Sequence, residues 1–327
     1  MSILVTGVAG FIGMHAAAAL LARGETVIGI DNLDDYYDTV LKRARLARLN
    51  GLPGFTFQRA DIADDAAVNR LVPDSVDHIL HLAAQAGVRY SLENPRAYVR
   101  ANIAGHLNML ELARWRRVSH FVYASSSSVY GDTGPEPLAV DASTDRPRSL
   151  YAATKRADEL MTESYAHLYG FRATGLRYFT VYGPWGRPDM APTLFARAML
   201  IGEPIAVFNE GQLARDFTFV EDAVAGTLGA LDRTGPGHRI YNIGNGRAEP
   251  LMRFVRTLEA ALGAKARIDF KPMQPGDVLE TCADISDAAR HFGYTPRTTI
   301  DEGLPRFASW YRAYYGVGAC VPRSASL

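Results

Sequence analysis

Cysteine is nearly missing from this chain of 327 residues: Cys282 and Cys320 are the two, far apart and without metal-ligand spacing. That scarcity argues against a disulfide framework or a structural zinc site and suits a reducing cytoplasm. Net charge is missing too, since 35 Lys and Arg balance 35 Asp and Glu. A balanced chain is a poor match to nucleic acid or an anionic membrane as its main partner, because both reward a basic surface. No stretch reaches about 18 uninterrupted apolar residues, so no membrane-spanning helix is expected. The apolar N-terminus lacks a basic leader region and is interrupted by Gly7, Gly10 and Gly13. It reads as a buried strand and helix rather than a signal peptide. The eight histidines show neither H-x-x-x-H nor H-E-x-x-H, so no catalytic metal is expected; His78 and His81 fall within a strand and read as structural.

What is present is alternation. Ile3–Val5, Val27–Ile30, Phe55–Gln58, Val76–Leu82, His120–Ala124 and Ala173–Tyr178 are short and mostly apolar on both faces, as parallel strands covered by helices should be. Helical stretches lie between them, notably Gly13–Ala22, Pro95–Arg117 and Leu150–Tyr169. This order predicts an α/β fold, a Rossmann-type doubly wound parallel sheet. After Tyr182 the run Gly183-Pro184-Trp185-Gly186-Arg187-Pro188 is too rich in Gly and Pro for regular structure. Residues 1–182 are therefore expected to form the sheet domain. Residues 183–316 are expected to form a smaller mixed α/β substrate domain, with segments returning to the first and a last helix near Ile300–Tyr315. The small, polar stretch 317–327 is expected to be a flexible tail.

Gly7-Val8-Ala9-Gly10-Phe11-Ile12-Gly13 follows the first strand and opens a helix. Glycines there let the backbone turn tightly and approach a pyrophosphate at the helix N-terminus, where free N–H groups favour anions; a tight turn without a ligand is the plain alternative. Asp31 ends the second strand, 18 residues after Gly13 (31 − 13). A carboxylate there can bond the adenosine ribose and repels a 2′-phosphate, which favours NAD over NADP. Asp61-Ile62 and Ala83-Ala84-Gln85 end the third and fourth strands, where ligands gather in such sheets.

Tyr151-Ala152-Ala153-Thr154-Lys155 sets a phenol and an ammonium four residues apart on one helix face. A positioned cation favours the ionised phenol, which then serves as a general base, although such pairs also arise by chance. The fifth strand ends in Ser125-Ser126-Ser127-Ser128. Four hydroxyls fill a core poorly, and at the carboxyl edge of a sheet they can bond a sugar oxygen or simply cap a turn.

Taken together, Gly7, Gly10, Gly13, Asp31, Tyr151 and Lys155 resemble an extended short-chain dehydrogenase/reductase from end to end. The resemblance implies a Ser–Tyr–Lys triad, with Ser126 as its hydroxyl counting back from Val129-Tyr130-Gly131. It implies NAD held by Gly7, Gly10, Phe11, Ile12, Gly13, Asp31, Asn32, Asp61, Ile62, Ala83, Ala84, Gln85, Asn102, Tyr151, Lys155 and Tyr178. Four segments resemble the UDP-glucuronate 4-epimerases more narrowly: Asp34–Asp38 with Leu41-Lys42, Gln85–Ser91, Gly183–Met190 and Met273–Val278.

That likeness implies a UDP-hexuronic acid substrate. Tyr151 would take the C4 hydroxyl proton, hydride would pass to NAD, and the 4-keto sugar would turn over before hydride returned. A 4-keto uronate is a β-keto acid prone to lose CO2, and the likeness places Ser127, Ser128 and Thr180 near its carboxylate. Dehydratases carry Asp-Glu after the triad hydroxyl and uronate decarboxylases a Glu beside it, where this chain has Ser127 and Ser128. Galactose epimerases usually carry Asn at the position of Thr180. Arg215 matches a phosphate-binding arginine, Arg187 is a second candidate, Asp277 matches a uridine-ribose carboxylate, and Arg89 falls in the right segment with no contact assigned. The helices of Asn102–Glu111 and Ala152–Ser164 are expected to pair in a homodimer, as in relatives. Two other readings stay open: a 4-epimerase of neutral UDP-sugars, and a non-catalytic NAD-sensing module.

Overall fold

The computed structural model describes residues 1–132, 136–233, 235–273 and 278–316. Its first half alternates as the apolar runs require: β1 (Ser2–Thr6), α1 (Phe11–Ala22), β2 (Thr26–Asp31), α2 (Thr39–Ala47), β3 (Phe55–Arg59), α3 (Asp65–Leu71) and β4 (His78–His81). Two short helices, α4 (Tyr90–Glu93) and α5 (Pro95–Tyr98), precede α6 (Gly105–Trp115). Then come β5 (His120–Ser126), α7 (Leu150–Tyr169), β6 (Arg172–Tyr178) and β7 (Thr180–Tyr182). The remainder runs α8 (Ala191–Ile201), β8 (Pro204–Phe208), β9 (Ala214–Phe219), α9 (Val220–Asp232), β10 (His238–Ile243), β11 (Ala248–Pro250), α10 (Leu251–Leu262), β12 (Arg267–Lys271), α11 (Ser286–Phe292) and α12 (Ile300–Tyr315).

Seven strands make one parallel sheet in the order β10-β6-β5-β4-β1-β2-β3. Side chains alternate across it. Ile3 and Val5 join the apolar cluster under α1 and α9, while Leu4 joins the one under α6. The same alternation sends Val122 one way and Phe121 and Tyr123 the other. Each such buried side chain contributes about 1.5–3 kcal/mol relative to exposure. The order reverses between β1 and β4, and the crevice beyond their carboxyl ends is where an open α/β sheet takes a ligand. The parallel α/β architecture is the one the alternation predicts.

β10 lies beyond Tyr182 in sequence and hydrogen-bonds to β6 in this sheet, in the register His238–Ala173 to Ile243–Tyr178. Two small sheets, β11-β9-β7 and β12-β8, stand beside it. The residues expected to form one helix from Pro95 to Arg117 do not. Asn94 caps α5 at Pro95, residues Val99–Ala104 wind as a π-helix, and α6 ends at Trp115. A π turn widens the coil by one residue, which here turns Asn102 inward, 1% exposed. The strand expected over Val76–Leu82 is shorter, His78–His81.

Candidate active site

The glycine turn after β1 is compact because its glycines have no room for side chains. A Cβ on Gly7, whose φ is 71°, would stand 2.7 Å from the Ala83 backbone nitrogen, and one on Gly13 would stand 2.1 Å from the Gly7 carbonyl oxygen. Turn, α1 and the end of β4 thus form one cradle, and no side chain caps the start of α1. The open N–H groups of that first turn suit a pyrophosphate. The Asp31 carboxylate accepts from Ala9 N at 3.0 Å and from Leu33 N at 2.8 Å. It therefore ties β2 to the turn and keeps further lone pairs for a ribose. Burial raises its pKa, against the backbone bond from Leu33 and the nearby charge of Lys42.

The turn opens into a cleft of about 1880 Å³ lined from Gly7 to Thr281. That is larger than the 300–1,000 Å³ typical of a single small ligand, leaving room for a dinucleotide and a second molecule. All the site residues expected from the sequence line it except Asn102 and Asp277. Asp277 lies outside the described residues. Asn102 is buried and absent from the lining, its side chain accepting from Gln85 N at 2.8 Å and donating to Gln85 O at 3.1 Å and to Thr154 Oγ1 at 2.9 Å. Tyr178 reaches the cleft, but its hydroxyl is bonded to Thr227 Oγ1 at 2.7 Å. Asp61 also lines it while accepting from Ala63 N and pairing with Arg100 at 2.8 Å.

On the other side of the cleft, α7 begins at Ser149, whose side chain accepts from Ala152 N at 3.1 Å. This cap puts Tyr151 in the first turn and Lys155 one turn on. The Lys155 Nζ donates to Ala124 O at 2.9 Å and to Asp158 Oδ2 at 3.0 Å. The serine run is divided by function. All four serines line the cleft, but the Ser125 hydroxyl is committed to Glu159, donating to its Oε1 at 2.7 Å. Ser126 Oγ accepts from Ser128 N at 3.2 Å and so caps the short 3₁₀ turn Ser127–Tyr130. Glycine turn, strand-end carboxylate and Ser–Tyr–Lys set share one cleft.

Over residues 3–244 the chain matches the description "NAD dependent epimerase/dehydratase family". It belongs to that family. UDP-glucuronate 4-epimerase 3 of Arabidopsis thaliana is 48% identical over 337 residues, spanning 97% of this chain and 78% of the relative. Among solved structures, the UDP-glucuronic acid 4-epimerase from Bacillus cereus in complex with UDP-glucuronic acid and NAD is 34% identical. Its TM-score is 0.90, covering 96% of this chain and 100% of that one. The UDP-glucose 4-epimerase with UDP-glucose from Thermotoga maritima is 31% identical, with a TM-score of 0.86 and coverage of 96% and 100%.

In this member of the epimerase/dehydratase family, the wall opposite the cofactor turn is polar. Thr180 opens β7 immediately beyond β6, close in sequence to Tyr178 and facing the cleft. The Arg89 guanidinium lies 5.3 Å over the Phe208 ring, and Arg215 donates to Leu279 O at 3.1 Å. Arg187 is already paired, its Nε donating to Asp189 Oδ1 at 3.0 Å. That pairing makes it a poorer anion ligand than the other two. Burial opposes ionisation of Asp189, and Arg187 more than offsets this, holding the carboxyl below its usual range.

Tyr36, within a segment that the sequence marks without assigning a role, donates to Asp189 Oδ2 at 3.0 Å and packs its ring 4.5 Å from that of Tyr90. Burial first, and Asp189 next, push its phenol up to about 12, so it is a donor at neutral pH. Arg45, fully buried in α2, donates to Ala9 O, Trp185 O, Gly186 O and the Tyr37 hydroxyl. It joins the glycine turn to the Gly183–Arg187 loop. Sequence spacing gives no signal for either contact, since Tyr36 and Asp189 stand 153 positions apart. No cluster of His, Cys, Asp and Glu able to hold a metal occurs among the described residues. Cys282 is unpaired there, and burial raises its thiol to about 11.

Proposed function

We propose that this chain interconverts UDP-glucuronic acid and UDP-galacturonic acid by epimerisation at C4. The observation that carries the reading is the convergence of Tyr151, Lys155 and Ser126 with the neutral donors Ser127, Ser128 and Thr180 on one cleft wall. Similarity to UDP-glucuronate 4-epimerases over almost the whole chain supports it.

NAD bound in the glycine cradle supplies a reversible hydride acceptor. The protein supplies the rest. Tyr151 removes the C4 hydroxyl proton and returns it on the reverse step, a role worth about 10²–10⁴-fold in rate. Lys155, anchored by Ala124 and Asp158, presents positive charge beneath it. Ser126 bonds the reacting sugar oxygen. Ser127, Ser128 and Thr180 hold the C6 carboxylate by hydrogen bonds that neither protonate it nor attack it. They keep its C5–C6 bond out of line with the C4 carbonyl, the alignment that CO2 loss needs. Arg89 and Arg215 bind the diphosphate, for which the guanidinium fork is suited. Asp277 takes the uridine ribose.

Apolar side chains stand exposed on several helices of this region: Leu92 in α4, Val99 in the π turn, Leu107 in α6, and Leu160 and Leu168 in α7. They support a homodimer paired through α6 and α7. No described helix is long and apolar enough to cross a membrane, and an unpaired Cys282 is in keeping with the cytoplasm.

The deciding experiment is NMR of the purified protein with UDP-glucuronic acid, following the sugar H1 and H4 signals. UDP-galacturonic acid without CO2 is the expected product. Conversion of UDP-glucose alone would transfer the protein to the neutral-sugar epimerases, and a pentose product would overturn the role given to the serines.

A further inference from the structure

One turn beyond Lys155 on α7 stands Asp158, a carboxylate that neither the glycine cradle nor the serine wall employs. Its Oδ2 accepts from Lys155 Nζ at 3.0 Å, and the two side chains are 1% and 3% exposed. Its Oδ1 is fully enclosed and has no hydrogen-bond partner. A buried carboxylate with one oxygen unsatisfied costs more than an apolar side chain of the same size would. Its side chain has a single strong contact, and that contact is the ammonium of Lys155, four residues on from Tyr151 along α7.

The groups around it leave this pair isolated. On α7 itself, Glu159 is occupied by Arg177, Arg156 and Ser125. Facing from β4 and α6, His81 and His106 are held neutral by burial, with Lys155 depressing them further. From β5, burial and the neighbouring carboxylates keep Tyr123 protonated. Among these groups Lys155 alone opposes the charge of Asp158.

We propose that Asp158 is a positioning residue for Lys155, fixing where the ammonium points and how much of its positive field reaches Tyr151 and the nicotinamide. Two of the three ammonium donors are taken, by Ala124 and Asp158, so the third is aimed at the cleft. The adjacent carboxylate offsets part of the charge. Removing the negative charge strengthens the field: it favours the ionised Tyr151 phenol and disfavours the cationic, oxidised nicotinamide beside it. Burial lifts the Asp158 carboxyl to about 6 against the pull of Lys155, so the offset is released by mild acid.

The use of Tyr151 as a base rests on the epimerase reading, but the cofactor part does not. Asp158→Asn keeps an oxygen for Lys155 and loses the charge. It is expected to move the acid limb of kcat/KM to lower pH by about 0.5–1 unit. It is also expected to lower the ratio of NAD+ to NADH affinity several-fold, measured by cofactor displacement from purified protein without any sugar. Asp158→Leu, which removes the charge and also the acceptor that orients the ammonium, should lower kcat well below that of Asp158→Asn, the readout of lost positioning. An unchanged affinity ratio in a folded Asp158→Asn protein, with only its melting temperature altered, would overturn the proposal and leave Asp158 a packing element. Should that variant not fold, the wild-type protein gives the second measurement. Its NAD+/NADH affinity ratio should fall as pH is lowered through about 6, and a ratio constant from about pH 5 to 8 would equally overturn it. Loss of the epimerase reading alone would show as no turnover with the affinity shift intact.

Discussion

Asn102 grips Gln85 by both backbone groups, accepting from its N–H at 2.8 Å and donating to its carbonyl at 3.1 Å. The side chain replaces the strand neighbour that the chain loses where β4 ends, and so fixes the floor of the cleft without entering it. Asn102→Ala leaves two buried backbone groups unpaired and should cost about 1–3 kcal/mol. NAD release should quicken while residual turnover keeps its pH profile; stopped-flow displacement of the cofactor checks this.

Tyr151→Phe removes one oxygen at the mouth of α7 and leaves the cradle untouched. Cofactor affinity should stay within about twofold and turnover should fall by about 10²–10⁴-fold. Turnover at the wild-type rate would sink the base assignment.

The neutral serines are expected to guard the carboxylate. Ser127→Ala combined with Ser128→Ala should raise the share of turnovers ending in CO2 and a 4-keto pentose, measured by trapping labelled CO2 from UDP-[6-¹⁴C]glucuronic acid. A double variant that loses rate without releasing CO2 would show that the carboxylate is held elsewhere.

Beneath the serine run, Arg177 is bonded to both oxygens of Glu159, at 2.8 and 2.9 Å. Burial opposes ionisation of Glu159, and Arg177 prevails, keeping the carboxyl below its ordinary range. The pair's contribution is therefore complete above the usual glutamate range and is lost as pH falls through the lowered value. Glu159→Gln strands a buried guanidinium and should cost about 3–5 kcal/mol, read from chemical denaturation at neutral pH.

Histidines act at a higher pH. Burial lowers His81 and His120 from 6.5 to about 3. Between those values the unfolded chain binds protons that the folded chain refuses, so stability drops as pH falls from about 6.5. Replacing His120 by Gln should flatten that slope in urea melts between pH 7 and 5, and an unchanged slope would show that other groups set it.

Much of this protein is legible along the chain because its determinants are local. Alternating apolar runs require a covered parallel sheet, glycines at 7, 10 and 13 require a turn too tight for side chains, and a phenol four residues before a lysine requires one helix face. Even the serines announce a polar wall, although only the fold shows that the Ser125 hydroxyl is committed to Glu159. The folded chain decided what depends on distant partners. Asn102 turns inward because a π turn shifts its phase, Arg187 is neutralised by an Asp189 that Tyr36 reaches from the far side of the cleft, and Arg45 clasps three carbonyls from two loops. Side-chain periodicity records which face a residue lies on. It does not record which oxygen waits there, because hydrogen bonds are short and directional and their partners are fixed only when the loops have closed.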